Sequence, residues 1–481
     1  MKASAKEMRA AGYAAVDRVV AHVEALEGMA GWTGARRAEL EKLELGIPAA
    51  PRPAAEVIEQ VEEEILRYMA RPAHPRFFAF VPGPGNFMGA VADFLSQGYN
   101  VFAGNWFAAS GPAMVELRTI EWLAGLVGFP ETAGGVFLSG GSLANFTALA
   151  VARDRILGEE RLSEGVAYFS DQTHSSVERA LRLLGFSRRQ LRKIPSGDDC
   201  RIAVSSVRSA MEEDRRGGRV PCCVIANAGT TNTGAIDPLS ELAALCRAEG
   251  AWLHVDGAYG AAAAICEEGR RLLEGVEKAD SLTFDPHKWL FQPFDCGCVL
   301  LRDGSLLPRT FYSRPEYLKD VGDNPGEPNL FDYSPELTRP FRALKLWMTL
   351  QVFGEDAMRR AVEHGLEMAR YAESLVRASE NWVIVTRAEM GMLSFRHEPP
   401  GVSSERVDEW NREIGKRITA SGFAVVLSTE LKGRTVLRMC PINPRTTEAD
   451  VRDTIRELDR VARERAVRLP GAGRGTKPSR D

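Results

Sequence analysis

SLTFDPHKWLF, residues 281–291, runs from a short apolar stretch directly into Asp285, His287, Lys288 and Trp289. Strand-forming residues followed by Asp-Pro read as a strand that stops. Its end then carries an imidazole and an amine beyond the sheet. Lys288 there is either a terminal charge reaching for solvent, the fate of most lysines, or an amine held for covalent chemistry with a carbonyl. The same strand-then-polar pattern recurs upstream. GGVFLSGGS gives a strand over Val136 to Leu138, a glycine turn and a helix beginning near Leu143. GVAYFSDQTHSSVERALRLLG repeats the scheme, with Val177, Ala180, Leu181 and Leu184 as the apolar face of its helix. CCVIANAGTT is a further strand and turn, followed by a helix marked by Leu239, Leu242, Ala243 and Cys246, and WLHVDGAYG is another strand. Alternation of this kind from residue 86 to 360 predicts an α/β fold, a largely parallel sheet with helices on both faces. Sites in such sheets gather at the carboxyl ends of the strands. Ser139 to Ser142, His174, Thr230, Asp256 and Lys288 all fall there.

On either side of this region the pattern changes. In residues 1–85, Val16, Val19, Val20, Val23 and Leu26 make a one-sided helical stripe. After the proline-rich break GIPAAPRPAA, Val57, Val61, Ile65 and Met69 make a second. Two amphipathic helices without strand partners must bury their stripes elsewhere, and a second subunit is a natural place. Residues 361–465 mix helix and strand (NWVIVTRA, GMLSFRHE, TVLRMCPI), as expected of a small α+β domain. The Gly/Pro/Arg-rich tail, 466–481, is expected to be disordered. No internal repeat is visible.

Composition narrows the classes. The 481 residues carry a net charge of -4, which argues against a nucleic-acid binder. No apolar run approaches the ~20 residues that span a bilayer. The N-terminus lacks an apolar signal core and contains Glu7 and Asp17, so a cytoplasmic protein is expected. Eight cysteines are too sparse for a disulfide scaffold, and several lie in apolar runs as small buried thiols. Cys296 and Cys298 form the only tight pair, with no zinc-type spacing around them, so no metal site is expected.

Pyridoxal 5'-phosphate would need a lysine for its aldehyde, an acid opposite its pyridine nitrogen and amides for its phosphate. Asp256 closes the apolar strand WLHVD, as a strand cap or as the partner of a buried cation. SGGS between a strand and a helix offers free backbone N–H groups, a ready anion site, although most glycine turns are only turns. His174 precedes a helix, as a cap neighbour or lying flat over a ring. Singly, each has a plain structural explanation; together, at the strand ends of one sheet, they make a constellation.

The motifs HPRFFAFVP, SDQTHSSVERA, GTTNTGAIDPL, WLHVDGAYG, DPHKWLF and PEYLKD resemble the group II pyridoxal-phosphate amino-acid decarboxylases, and most closely their aromatic-L-amino-acid branch. The resemblance runs from about residue 10 to 455 with the motifs in the family's order. It implies the aminotransferase-like fold type I, with a seven-stranded-type sheet. It also implies a homodimer with active sites at the interface and an N-terminal helical segment that wraps the partner. Lys288 would be the lysine joined to the cofactor aldehyde. Asp256 would pair with the pyridine nitrogen, Ala258 would lie against the ring and His174 would stack on its other face. Gly141 and Ser142 would hold the phosphate, with Thr230 and His287 close by. Asp285 departs from the asparagine common in the aromatic branch. An aspartate beside a phosphate repels it unless protonated or turned away, so Asp285 stays off the phosphate set. Tyr317 matches the tyrosine of the family's mobile catalytic loop, and Arg438 an arginine of its small domain.

The reaction implied is loss of carbon dioxide from an L-amino acid, with the cofactor doing the bond chemistry and Tyr317 helping to protonate Cα. Phe80 and Val81 in FFAFVPG, with Trp106, would line the substrate side. That lining favours an aromatic side chain over an acidic one, which would need a cation in the pocket. Thr338 lies where the sequence departs from the animal enzymes, so tyrosine, tryptophan, phenylalanine and dopa all stay open. An aromatic aldehyde synthase, a decarboxylase of an acidic amino acid and a catalytically silent relative are the alternatives. Intact Lys288, Asp256, His174 and Tyr317 speak against the last.

Overall fold

Seven strands form the central sheet of the computed structural model, which describes residues 2–313 and 326–466. They are β1 (Gly134–Leu138), β2 (Gly165–Ser170), β3 (Leu191–Ile194), β4 (Val220–Asn227), β5 (Trp252–Asp256), β6 (Ser281–Phe284) and β7 (Gly297–Leu301). Their order is β1-β7-β6-β5-β4-β2-β3. β7 runs antiparallel to both its neighbours, and the other pairings are parallel. The chain between Phe284 and Gly297 holds one helical turn, too little for a crossover helix, so the strand returns as a hairpin.

Both faces of the sheet are covered, which is why its strands, the edge strand β3 apart, are largely apolar rather than alternating. Along β1, Val136 and Leu138 enter one core cluster, while Phe137 enters the opposite one. The expected helical faces are buried: Val177, Ala180 and Leu181 in the helix Ser175–Leu183, and Leu239, Leu242, Ala243 and Cys246 in the helix Leu239–Glu249. The helix expected near Leu143 begins two residues earlier, at Gly141. All eight cysteines are buried and unpaired.

A second sheet is antiparallel, order β10-β11-β9-β8, formed by β8 (Trp382–Glu389), β9 (Met392–His397), β10 (Leu427–Leu431) and β11 (Arg434–Met439). The sequence boundary at 360/361 falls inside the helix Glu355–Ala378. The break between helices is instead at Gly354, whose φ of 77° suits a residue without Cβ.

At the other end, the helices Ala5–Ala25 and Ala54–Gln60 pack on each other, and Arg18 pairs with Glu62. Their stripes stay partly open: Val16, Val19, Val57 and, in the turn that follows, Ile65 are exposed, whereas Leu26 is buried. No helix among the described residues is long and apolar enough to cross a membrane. Tyr317 and the tail 467–481 lie outside the described residues.

Candidate active site

β5 and β6 are parallel neighbours with Asp256 opposite Thr283, so both chains leave the sheet side by side. Asp285 N–H donates to Ala258 O at 2.8 Å and ties the two exits together. Pro286 then starts a single helical turn, Pro286–Trp289, a position where its missing N–H costs nothing. His287 N–H donates to Cys296 O at 3.0 Å, closing the loop that carries Lys288. Gly83 packs against this turn so tightly that a Cβ there would lie 1.8 Å from His287 O.

Lys288 opens on a cavity of about 420 Å³, within the roughly 300–1,000 Å³ of small-molecule sites. Asp256, Ala258, His174 and His287 share its wall with Lys288. Gly141, Ser142 and Thr230 complete the expected set. Asp256 is 8 % exposed; its Oδ2 accepts from Asn145 Nδ2 at 3.0 Å and its Oδ1 from Ala258 N–H at 3.2 Å. His174 caps the helix Ser175–Leu183, its Nδ1 accepting from Ser176 N–H at 3.3 Å. Burial pushes the His287 imidazole below its ordinary range, against the opposing pull of Asp285.

The helix Gly141–Leu157 starts on the same wall after Gly140, which has no side chain to cap it. A Cβ at Gly141 would come 2.9 Å from Asp285 Oδ2 and 3.3 Å from Ala258 Cβ, so the SGGS turn must stay small. Asp285 does not turn away. Its Oδ2 accepts from Gly141 N–H at 2.9 Å and lies 3.3 Å from Lys288 Nζ, while its Oδ1 is buried without a hydrogen-bond partner among the described residues.

The four residues expected on the substrate side, Phe80, Val81, Trp106 and Thr338, lie off this wall, and Phe80 is 60 % exposed. Arg438 of β11 donates to the Phe80 carbonyl, holding that backbone while its ring faces outward. Residues that sequence reasoning passed over do line the cavity: Asn145, Ser176, Asn227 and Tyr259; Asp285, kept off the phosphate set, lines it too. Asn145 was detectable as the residue one helical turn beyond Gly141, on a helix that opens the site. Among the described residues no cluster of His, Cys, Asp and Glu could hold a metal ion.

An amine, an accepting carboxylate and the start of a helix around one cavity suit an aldehyde with a basic ring nitrogen and a phosphate. The buried Tyr259 hydroxyl on the wall, which has no hydrogen-bond partner among the described residues, adds a donor. The residues present thus fit pyridoxal phosphate.

Comparison with known proteins points the same way. Residues 37–398 match the pyridoxal-dependent decarboxylase conserved domain. An aromatic-L-amino-acid decarboxylase of Bacillus atrophaeus is 44% identical over 98% of each chain. A phenylacetaldehyde synthase of Arabidopsis thaliana is 30% identical, over 93% of this chain and 94% of its own. The solved structure of Oryza sativa TDC with PLP and tryptamine superposes with a TM-score of 0.92 at 30% identity, covering 97% of this chain and 99% of that one. With a fold, a lysine cavity and a family match over most of its length in agreement, the chain belongs to the pyridoxal-dependent decarboxylases.

Proposed function

We propose that this protein decarboxylates an aromatic L-amino acid to the corresponding amine and carbon dioxide. Its cofactor is pyridoxal 5'-phosphate. The reading is carried by the arrangement of Lys288, Asp256 and His174 on one cavity at the strand ends. The aromatic class is supported by the 44% identity to the B. atrophaeus decarboxylase.

When bound, pyridoxal phosphate supplies an aldehyde carbon for amines and a protonated ring that accepts the electron pair left by carbon dioxide. In this proposal Lys288 holds the cofactor through its amine and yields that place to the substrate amine. Asp256, accepting from Asn145 and Ala258, keeps a proton on the ring nitrogen, because opposite charge at short range favours the charged form. His174 would lie against the ring face, and Ser142, with Gly141 when released from Asp285, would offer N–H groups to the phosphate at the start of a helix. Tyr317 delivers a proton to the substrate Cα after carbon dioxide leaves.

The protein acts as a homodimer in this reading. The open stripes of the N-terminal helices and the exposed Phe80 and Phe107 support a covering subunit. Eight unpaired thiols suit a reducing compartment, the cytoplasm.

The test is incubation of the cofactor-loaded protein with tyrosine, tryptophan, phenylalanine, dopa and glutamate in turn, with mass detection of products. Amine from at least one aromatic substrate supports the reading. Aldehyde with matching peroxide would make the protein an aldehyde synthase, and turnover of glutamate alone would overturn the aromatic class.

A further inference from the structure

Behind the cavity wall one chain of hydrogen bonds runs through Trp252, Ser281, His254, Asn145 and Ser176, all of them buried. Its direction is fixed from both ends. Trp252 Nε1, which can only donate, lies 2.8 Å from Ser281 Oγ. Asn145 Oδ1 can only accept, so His254 donates to it from Nε2 at 2.9 Å, and the neutral ring then accepts at Nδ1 from the Ser281 hydroxyl, 2.8 Å away. Thr283 donates to the same oxygen at 2.6 Å. With its oxygen engaged twice, Asn145 turns its amide N–H groups to Asp256 Oδ2 and Ser176 Oγ, each 3.0 Å away.

At the other end, the Ser176 backbone N–H, also a donor only, points at His174 Nδ1. Nδ1 has a single lone pair, and the Ser176 hydroxyl at 2.8 Å is its nearer partner; with that oxygen accepting from the Asn145 amide, the hydroxyl proton is turned to Nδ1. The two directions meet at Asn145 and Ser176 without conflict.

We propose that Asn145 is a positioning residue that couples the two polar groups flanking the cofactor: it holds Asp256 as a hydrogen-bond acceptor and, through Ser176, keeps His174 in the tautomer with its proton on Nε2. The proposal rests on the reading of the cavity given above. Ala258 N–H supplies Asp256 with a second donor, so both carboxylate oxygens accept and neither carries the proton that the ring nitrogen needs. His174 presents Nε2–H as its one remaining donor. Burial drives His254 down to about 4, against the pull of Asp256, so at neutral pH the chain transmits orientation and no charge. A leucine at 145 would leave Asp256, Ser176, His254 and Thr283 each one partner short. An aspartate would set oxygen against oxygen at Asp256.

The test is ¹⁵N NMR of histidine-labelled protein, cofactor-loaded and cofactor-free, with His174 assigned by loss of its signals in His174→Gln. Wild type is expected to show His174 protonated on Nε2 alone. In Asn145→Leu, and in Ser176→Ala should the first not fold, His174 is expected to become a mixture of tautomers. Turnover of Asn145→Leu should fall at least tenfold with KM moved less than threefold. Its cofactor absorbance should also change with pH where that of wild type is constant. His174 protonated on Nδ1 in wild type would overturn the proposal. So would a folded, loaded Asn145→Leu with wild-type turnover and an unchanged His174 spectrum. Failure of wild type to hold pyridoxal phosphate would instead overturn the reading of the cavity.

Discussion

Asp285 Oδ2 lies 3.3 Å from the Lys288 amine and accepts a hydrogen bond from Gly141 N–H at 2.9 Å. One carboxylate thus occupies an amide at a helix start where a phosphate would also bind, and its charge opposes a second anion. Asp285→Asn keeps an oxygen for Gly141 and removes the charge. It is expected to bind pyridoxal phosphate and inorganic phosphate at least tenfold tighter, about 1.4 kcal/mol. Equilibrium dialysis of cofactor-free protein measures it. Equal or weaker binding would mean that Asp285 carries a proton beside the phosphate and donates it.

Borohydride treatment of the cofactor-loaded protein is expected to fix one pyridoxyl group on Lys288. Peptide mapping decides it. A label on any other lysine, or none, removes Lys288 from the cofactor site.

Asp256→Ala is expected to weaken cofactor binding and, at saturating cofactor, to lower turnover roughly 10²–10³-fold, about 3–4 kcal/mol, the scale for losing a polar group aimed at developing charge in an active site. The measurement is kcat on the preferred substrate. A near-normal rate would show that another group keeps the ring nitrogen protonated.

Stability should fall as the medium is acidified from neutral pH. His254 goes from an ordinary 6.5 to about 4 on burial, so below pH 6.5 the unfolded chain takes up a proton that the folded one refuses. Stability is full above that point and is lost progressively down to about pH 4, about 3 kcal/mol at about 1.4 kcal/mol per pH unit. His287, lowered mainly by burial, acts in the same direction. His254→Gln can keep the donor to Asn145 and the acceptor for Ser281, and it does not titrate. Denaturant midpoints at pH 7 and 5 should therefore converge in this variant. A wild-type midpoint that is unchanged between the two would refute the neutral, buried His254.

Tyr317→Phe should shift products from amine toward aldehyde and peroxide under air, because a phenyl group has no proton to give. Product analysis with parallel oxygen uptake reads the partition. Unchanged amine output would assign the proton to another group.

Much of the sheet was legible because strands buried on both faces are plain apolar runs, and the site lay where such strands end. β3 was not, since LRKI at the sheet edge interrupts its apolar residues with two charges. β7 was hidden because Cys298 drew attention as the partner of Cys296, just before the strand, rather than as a strand residue. Lys288, Asp256 and His174 stood out as polar groups closing apolar runs. Asn145 and Ser176 did not: helical spacing from Gly141 could place Asn145 near the site, but the partners of a polar residue inside a helix show only once the chain has folded. Phe80, exposed on the single chain, shows what composition leaves open. Apolar composition says that a segment seeks cover, but not which surface or which subunit supplies it.

The hairpin return of β7 has a consequence for how this enzyme is made. Among the seven strands β7 is the last in sequence, yet it lies between β1, the first, and β6. Gly297 of β7 packs against the Gly140 backbone so closely that a Cβ would fall 2.3 Å from Gly140 Cα. The SGGS turn and the lysine loop are thus brought into register only when the final strand slides between its two neighbours. That contact of long sequence separation is costly to form early. A nascent chain still short of β7 carries every residue of the cavity and has no cavity, so uptake of the cofactor on the ribosome must wait for the keystone strand.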